Sequence, residues 1–148
     1  MIDVRKITKE DNLEKIIIEI KSAKWVSASE ISVDDYSIED LRECLEKNES
    51  VFIVAYFEGE FSGMASAKLL DKPSGDLWLY IDEIDVCENF QRKGIGTRMM
   101  QYLFEIAKVN NCDEVWVGTE VENIPASNFY KSLNPVEVQD FVGFTYKV

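Results

Sequence analysis

Two neighbouring stretches carry residues able to do chemistry. The first is the carboxylate-bearing end of an apolar run, Tyr80-Ile81-Asp82-Glu83-Ile84-Asp85-Val86. Residues two apart on a strand share a face, so Glu83 and Asp85 point the same way. Desolvation in an apolar strand raises a carboxylate's pKa toward working pH and suits Glu83 to accept a proton. The second stretch is Gln91-Arg92-Lys93-Gly94-Ile95-Gly96-Thr97. Two glycines one residue apart let the backbone turn tightly with several N–H groups aimed one way. The helix expected to follow adds its positive end, and Arg92, Lys93 and Arg98 surround it. Such a turn suits a phosphate-like anion. The dinucleotide fingerprint fails, because Met99 stands at its third glycine, and no P-loop spacing is present.

Composition narrows the chemistry. The chain has no histidine, which removes Ser-His-Asp and Cys-His schemes and most zinc sites, and no metal is expected. Any base is a carboxylate, a lysine, a tyrosine or water. Cys44, Cys87 and Cys112 lack metal-like spacing and read as reduced thiols of a cytoplasmic protein. With 28 acidic against 16 basic residues the net charge is −12. That disfavours nucleic acid and favours a cationic acceptor such as an amine, with plain solubility as the other reading. No apolar run approaches the roughly 20 residues of a membrane span, so no membrane partner is expected, and the first residues lack the apolar core of a signal peptide. A chain of 148 residues reads as a single domain, 1–148.

The elements that must position these residues follow from periodicity. Residues 2–7 read as a strand. Thr8 with Asp11 opens a helix to about Lys24, with Leu13, Ile16, Ile17 and Ile20 on one stripe. Residues 25–36 have no clean period. Ser37 with Asp40 opens a second helix that turns Ile38, Leu41 and Leu45 inward. Strands are expected at 51–57 and 61–70, joined by Glu58-Gly59-Glu60. The strand at 77–86 reads as apolar on both faces up to Asp82, hence covered on both sides. A helix over about 96–109, a strand at 114–119 and a short helix opened by Pro125 follow. Residues 136–148 read as two last short strands. The class is α/β (mixed α+β), with the order β-α-α-β-β-β-α-β-α-β-β. The sheet is expected to be mostly antiparallel, of about six to seven strands, with helices on both faces.

Gln91-x-x-Gly94-x-Gly96 at a strand end resembles motif A of the GNAT superfamily of acyl-CoA-dependent acyltransferases. Asn123-x-x-Ala126-x-x-x-Tyr130, followed by Lys131-Ser132-Leu133, resembles its motif B, and the element order is similar to that family's. Asn134 stands where family members often have glycine, and no proline follows Val86; the first departure should be tolerated, since asparagine adopts the left-handed conformation.

The resemblance implies acetyl-CoA as cofactor. The pyrophosphate would lie on residues 91–97, with Ile84, Asp85 and Val86 along the pantetheine arm and Asn123, Ala126 and Tyr130 in further contact. Backbone N–H groups near Ile84 and Val86 would polarise the thioester carbonyl, and Tyr130 would protonate the departing thiolate. Trp25, Glu30, Asp34, Asp35 and Tyr36 would wall the acceptor pocket, joined by Glu83 and Glu120. The base stays open among Glu83, Asp85, Glu120 and water. Cys87 is a small packing residue or, alternatively, an acyl carrier.

The runs YIDEIDV and VWVGTEVENIPASNFY look like the aminoglycoside 3-N-acetyltransferase branch. The expected activity is acetyl transfer from acetyl-CoA to a primary amine of a small cationic acceptor, by direct attack in a ternary complex. Alternatives are a protein or peptide N-acetyltransferase, a non-catalytic acyl-CoA-binding module, and an ordinary α/β interaction domain. Monomer and homodimer both remain open.

Overall fold

The computed structural model describes residues 1–26 and 32–148. It divides into a larger unit, Met1–Gly118, and a smaller one, Thr119–Val148. The larger unit is built on five strands lying in chain order: β1 (Ile2–Lys6), β2 (Ser50–Phe57), β3 (Glu60–Asp71), β4 (Leu77–Val86) and β5 (Glu114–Val117). Neighbours are antiparallel except β4 and β5, which run parallel. The β2–β3 hairpin closes through Glu58 at φ 49° and Gly59 at φ 83°. Two consecutive positive φ values give the turn a twist that matches the flanking strands.

Each face of this sheet has its own cover. Helices α1 (Leu13–Ser22) and α2 (Ile38–Leu45) bury Ile16, Ile17, Ile20 and Leu41 against Phe52, Val54, Tyr56 and Met64. Residues of opposite parity, among them Ile53, Ala65, Leu79 and Ile81, face the other way and are buried. On that side lies α3 (Ile95–Val109), which buries Ile95, Met99, Met100, Leu103 and Ala107. Full burial of such a side chain is worth about 1.5–3 kcal/mol, so these two apolar layers hold the sheet. As expected, Ser37 caps α2: its hydroxyl accepts from the Asp40 N–H at 3.1 Å and donates to Asp40 Oδ2 at 2.9 Å.

Three expectations are corrected. The cap of α1 is Asn12, whose side chain accepts from the Lys15 N–H at 3.1 Å. Thr8 and Asp11 form a separate turn ahead of it, with the Thr8 N–H donating to Asp11 Oδ2 at 2.8 Å. The apolar stripe begins only at Leu13, and the polar residue directly before it takes the cap. Second, β4 is not covered on both sides, since Tyr80 is 38% exposed opposite the buried Leu79 and Ile81. The apolar layer under α1 and α2 draws on β2 and β3 and not on β4.

Third, the sheet has five strands among the described residues, not six or seven, because residues 136–148 form no strand. The smaller unit holds one helix, α4 (Ile124–Ser132), and no strand of its own. Apolar alternation becomes a strand only where a ladder partner satisfies its backbone groups.

Candidate active site

The centre of the site is an irregularity in β4. Glu83 pairs with Ser66, but the next pair on β3 is Ala67 with Ile81, so Asp82 is an extra residue. This bulge changes which side chains share a face. Without it Glu83 and Asp85 would follow Leu79 and Ile81 toward α3. With it they share the opposite face with Ser66 and Met64, their partners on β3. Asp82 turns to the same side, where its Oδ2 accepts from the Ser66 hydroxyl at 2.8 Å.

Facing this acidic row is the 3-10 turn Val33–Asp35 with Tyr36. The Tyr36 hydroxyl donates to Glu83 Oε2 at 2.9 Å. Burial, and then the charges of Glu83, Asp85 and Asp82, push the phenol far above its ordinary pKa. Tyr36 therefore remains a hydrogen-bond donor at any working pH. Ser32, Asp35, Tyr36, Asp82 and Glu83 line an open cleft of about 320 Å³. Three carboxylates and two hydroxyls are a surface for a cation.

Of the residues expected to wall the acceptor, Asp35, Tyr36 and Glu83 meet in this cleft. Asp34 lies on the same 3-10 turn without lining it. Trp25 is packed: its indole N–H donates to the Ile20 carbonyl at 3.1 Å and its ring meets Phe61 edge-on at 6.0 Å. Glu30 lies outside the described residues. Cys87 is buried, and burial pushes its thiol up to about 11, which suits packing and not a nucleophile.

The parallel ladder between β4 and β5 ends at Ile81 and Val117, whereas β4 continues to Val86. Ile84, Asp85 and Val86 thus keep β3 on one edge and have left β5 on the other, the kind of edge an extended ligand can follow. Directly beyond, the Gln91 side-chain amide donates to the Val86 carbonyl at 3.0 Å and ties the anion-binding turn to the strand end.

The turn itself is made differently from the expectation. Its left-handed positions are Arg92 at φ 61° and Gly94 at φ 83°, whereas Gly96 lies inside α3. The first helical bond of α3 runs from the Arg98 N–H to the Gly94 carbonyl at 3.0 Å, and no side chain caps this end. The N–H groups of Ile95, Gly96 and Thr97 thus form its open, positive end. Lys93 turns its ammonium toward the Phe57 ring, 5.3 Å from the centroid. Among the described residues, Arg92, Lys93 and Arg98 enter no ion pair.

The smaller unit carries the remaining candidates. Asn123 caps α4, its side chain accepting from the Ala126 N–H at 3.2 Å, with Pro125 in the first turn. Glu120 precedes this cap, and its carbonyl accepts from the Asn123 N–H at 3.0 Å. Tyr130 packs its ring against Phe129 at 5.1 Å. Asn134 takes φ 58°, the conformation expected where relatives carry glycine.

Sequence reasoning missed Asp82, Ser66 and Gly63. Alternation assigns Asp82 to the wrong face, and the bulge that corrects this has no compositional signal. Gly63 pairs with Val86, and a Cβ there would lie 2.8 Å from the Asp85 carbonyl oxygen.

Comparison with known proteins agrees with this architecture. The model of the acetyltransferase (GNAT) family matches residues 15–134. An N-alpha-acetyltransferase of Sulfurisphaera tokodaii is 33% identical over 105 residues, which cover 66% of this chain and 63% of that protein. The chain therefore matches less than two thirds of that relative's length. A spermine/spermidine N(1)-acetyltransferase of Bacillus subtilis is 28% identical over 104 residues, covering 64% of this chain and 67% of the relative. The crystal structure of an aminoglycoside acetyltransferase from an uncultured soil metagenomic sample, in complex with sisomicin, superposes with a TM-score of 0.84 at 21% identity, covering 99% of this chain and 96% of that one. The anion-binding turn, the bulged acidic strand and the family match lead to one assignment: the chain belongs to the acetyltransferase (GNAT) family.

Proposed function

We propose that the protein transfers an acetyl group from acetyl-CoA to a primary amine of a small cationic acceptor, by direct attack in a ternary complex. The observation that carries this reading is the Tyr36–Glu83 cleft on the bulged end of β4, where the same strand runs on into the anion-binding turn. Glu83 and Val86 are three residues apart, about 10 Å along a strand. Acetyl-CoA would supply the acetyl group as an activated thioester. The 91–97 turn would hold its pyrophosphate, and the freed edge of Ile84–Val86 would receive its arm.

An alkyl amine is protonated at neutral pH, with a pKa of about 10. Its attraction to Asp35, Asp82 and Glu83 concentrates it in the cleft. Glu83, directly or through water, takes the proton that the amine must lose, and Asp85 shares its face. As the new C–N bond forms and the C–S bond breaks, Tyr130 gives its proton to the thiolate. The spermine/spermidine relative supports a polyamine-like acceptor. A second reading, acetylation of peptide N-termini, has support from the Sulfurisphaera relative.

Thiol release over a panel of polyamines, aminoglycosides and peptide N-termini tests both readings. Acetyl-CoA binding with no thiol release from any amine would point to a non-catalytic module instead. Two variants test the roles. Tyr130→Phe should lower kcat about ten- to a hundredfold with an unchanged Kd for acetyl-CoA; weaker binding at intact turnover would remove the acid assignment.

Tyr36→Phe keeps the ring but removes a donor that favours the charged carboxylate. Less acid is then needed to protonate the base. The acidic limb of the kcat/KM–pH profile should move to higher pH by about one unit. An unmoved limb would mean that this hydrogen bond does not tune the base.

A further inference from the structure

We infer that residues 136–148 are a strand donor, and that a second copy of this chain receives them along the outer edge of its β5. Both halves of the contact are visible in one molecule. Among the described residues β5 pairs only with β4, so its far edge presents unpaired N–H and C=O groups. Residues 136–148 alternate in the manner of strands: Val136, Val138, then Phe141, and then Phe144, Tyr146 and Val148. They nevertheless form no ladder. Their large side chains lie in solvent, from 54% exposed at Phe141 to 82% at Tyr146.

This one segment holds seven of the fifteen large apolar residues that are exposed among the described residues. The rest of the surface is strongly acidic, but residues 136–148 carry only Glu137, Asp140 and Lys147. In a chain of net charge −12, a nearly neutral apolar segment is the part least opposed by charge when two copies meet.

A second copy is the occupant that completes both features at once. Under a two-fold axis each copy gives its segment and receives its partner's, so one contact type fills both edges and covers both tails. Each tail brings Phe141, Phe144 and Tyr146. An aromatic side chain buries about 150–250 Å², so two exchanged tails cover on the order of 1,000 Å² from rings alone, the scale of a specific interface. Main-chain bonds along β5 would set the register, as in other strand-addition contacts.

The test combines solution mass by light scattering with backbone hydrogen exchange, on the full chain and on two variants. Phe144→Asp places a charge in the donated strand, and Val142→Pro removes a ladder donor. The wild type should be a dimer at micromolar concentration, with slow exchange in residues 136–148 and in β5. Both variants should be folded monomers by circular dichroism, with fast exchange in those residues.

A monomer with protected tail amides would show the strand pairing within its own chain and overturn the proposal. A monomer with open tail amides would overturn it as well. So would a dimer whose tail exchanges freely, or one that survives both substitutions, because another surface would then hold it.

Discussion

Replacing Glu83 with glutamine is expected to lower kcat/KM for the best amine by two to three orders of magnitude, with the Kd for acetyl-CoA changed less than about twofold. The substitution is close to isosteric. The Tyr36 hydroxyl, which donates to Glu83 Oε2 at 2.9 Å, can donate equally to an amide oxygen. The cleft thus keeps its shape, and what disappears is a group that can accept a proton. The acidic limb of the pH profile should vanish with it.

Asp82→Asn separates charge from proton transfer. Asp82 lines the same cleft and accepts from Ser66, so its loss removes attraction for a cation and should raise KM more than it lowers kcat. A loss below tenfold in Glu83→Gln would move the role of base to Asp85, Glu120 or a water.

The sequence exposes some of this site and hides the rest for physical reasons. Glu83 and Asp85 stand out because charge in an apolar run is unusual, and their shared face follows from a two-residue period. Which face it is depends on the extra residue at Asp82, and the bulge is defined only by the pairing with β3. The anion-binding turn was legible from Gly94, but its second left-handed residue is Arg92, a type that rarely signals such a backbone.

Tyr36 was legible as an acceptor-side residue, whereas its bond to Glu83 spans 47 positions in the chain and leaves no local trace. Residues 136–148 have the pattern of strands, and the pattern alone cannot say where the neighbouring strand comes from. The cap of α1 was misplaced by a few residues because Thr8, Asp11 and Asn12 are all capable caps. Only the start of the buried stripe decides among them.

Gly63→Ala should lower the melting temperature by about 3–10 °C and reduce turnover even where the variant is fully folded. Gly63 lies on the face of β3 that meets α3. A Cβ added there would stand 2.8 Å from the Asp85 carbonyl oxygen and 3.0 Å from Met99 Cε. The first contact is with backbone in β4, which cannot rotate aside. The second is with a side chain that has no exposed surface and no space to swing into. Overpacking of this kind costs about 1–3 kcal/mol.

The cheaper way to relieve it is to push β4 outward at Asp85, two residues from the carboxylate that Tyr36 holds. A shift there opens the cleft and misaligns the base, so activity should fall further than lost stability explains. Gly143→Ala serves as the control, because an added Cβ at Gly143 meets nothing within 4 Å. Should Gly63→Ala melt within about 1 °C of the wild type, β3 and β4 have room to spare at this point. In that case the close approach of the two strands does not position the base.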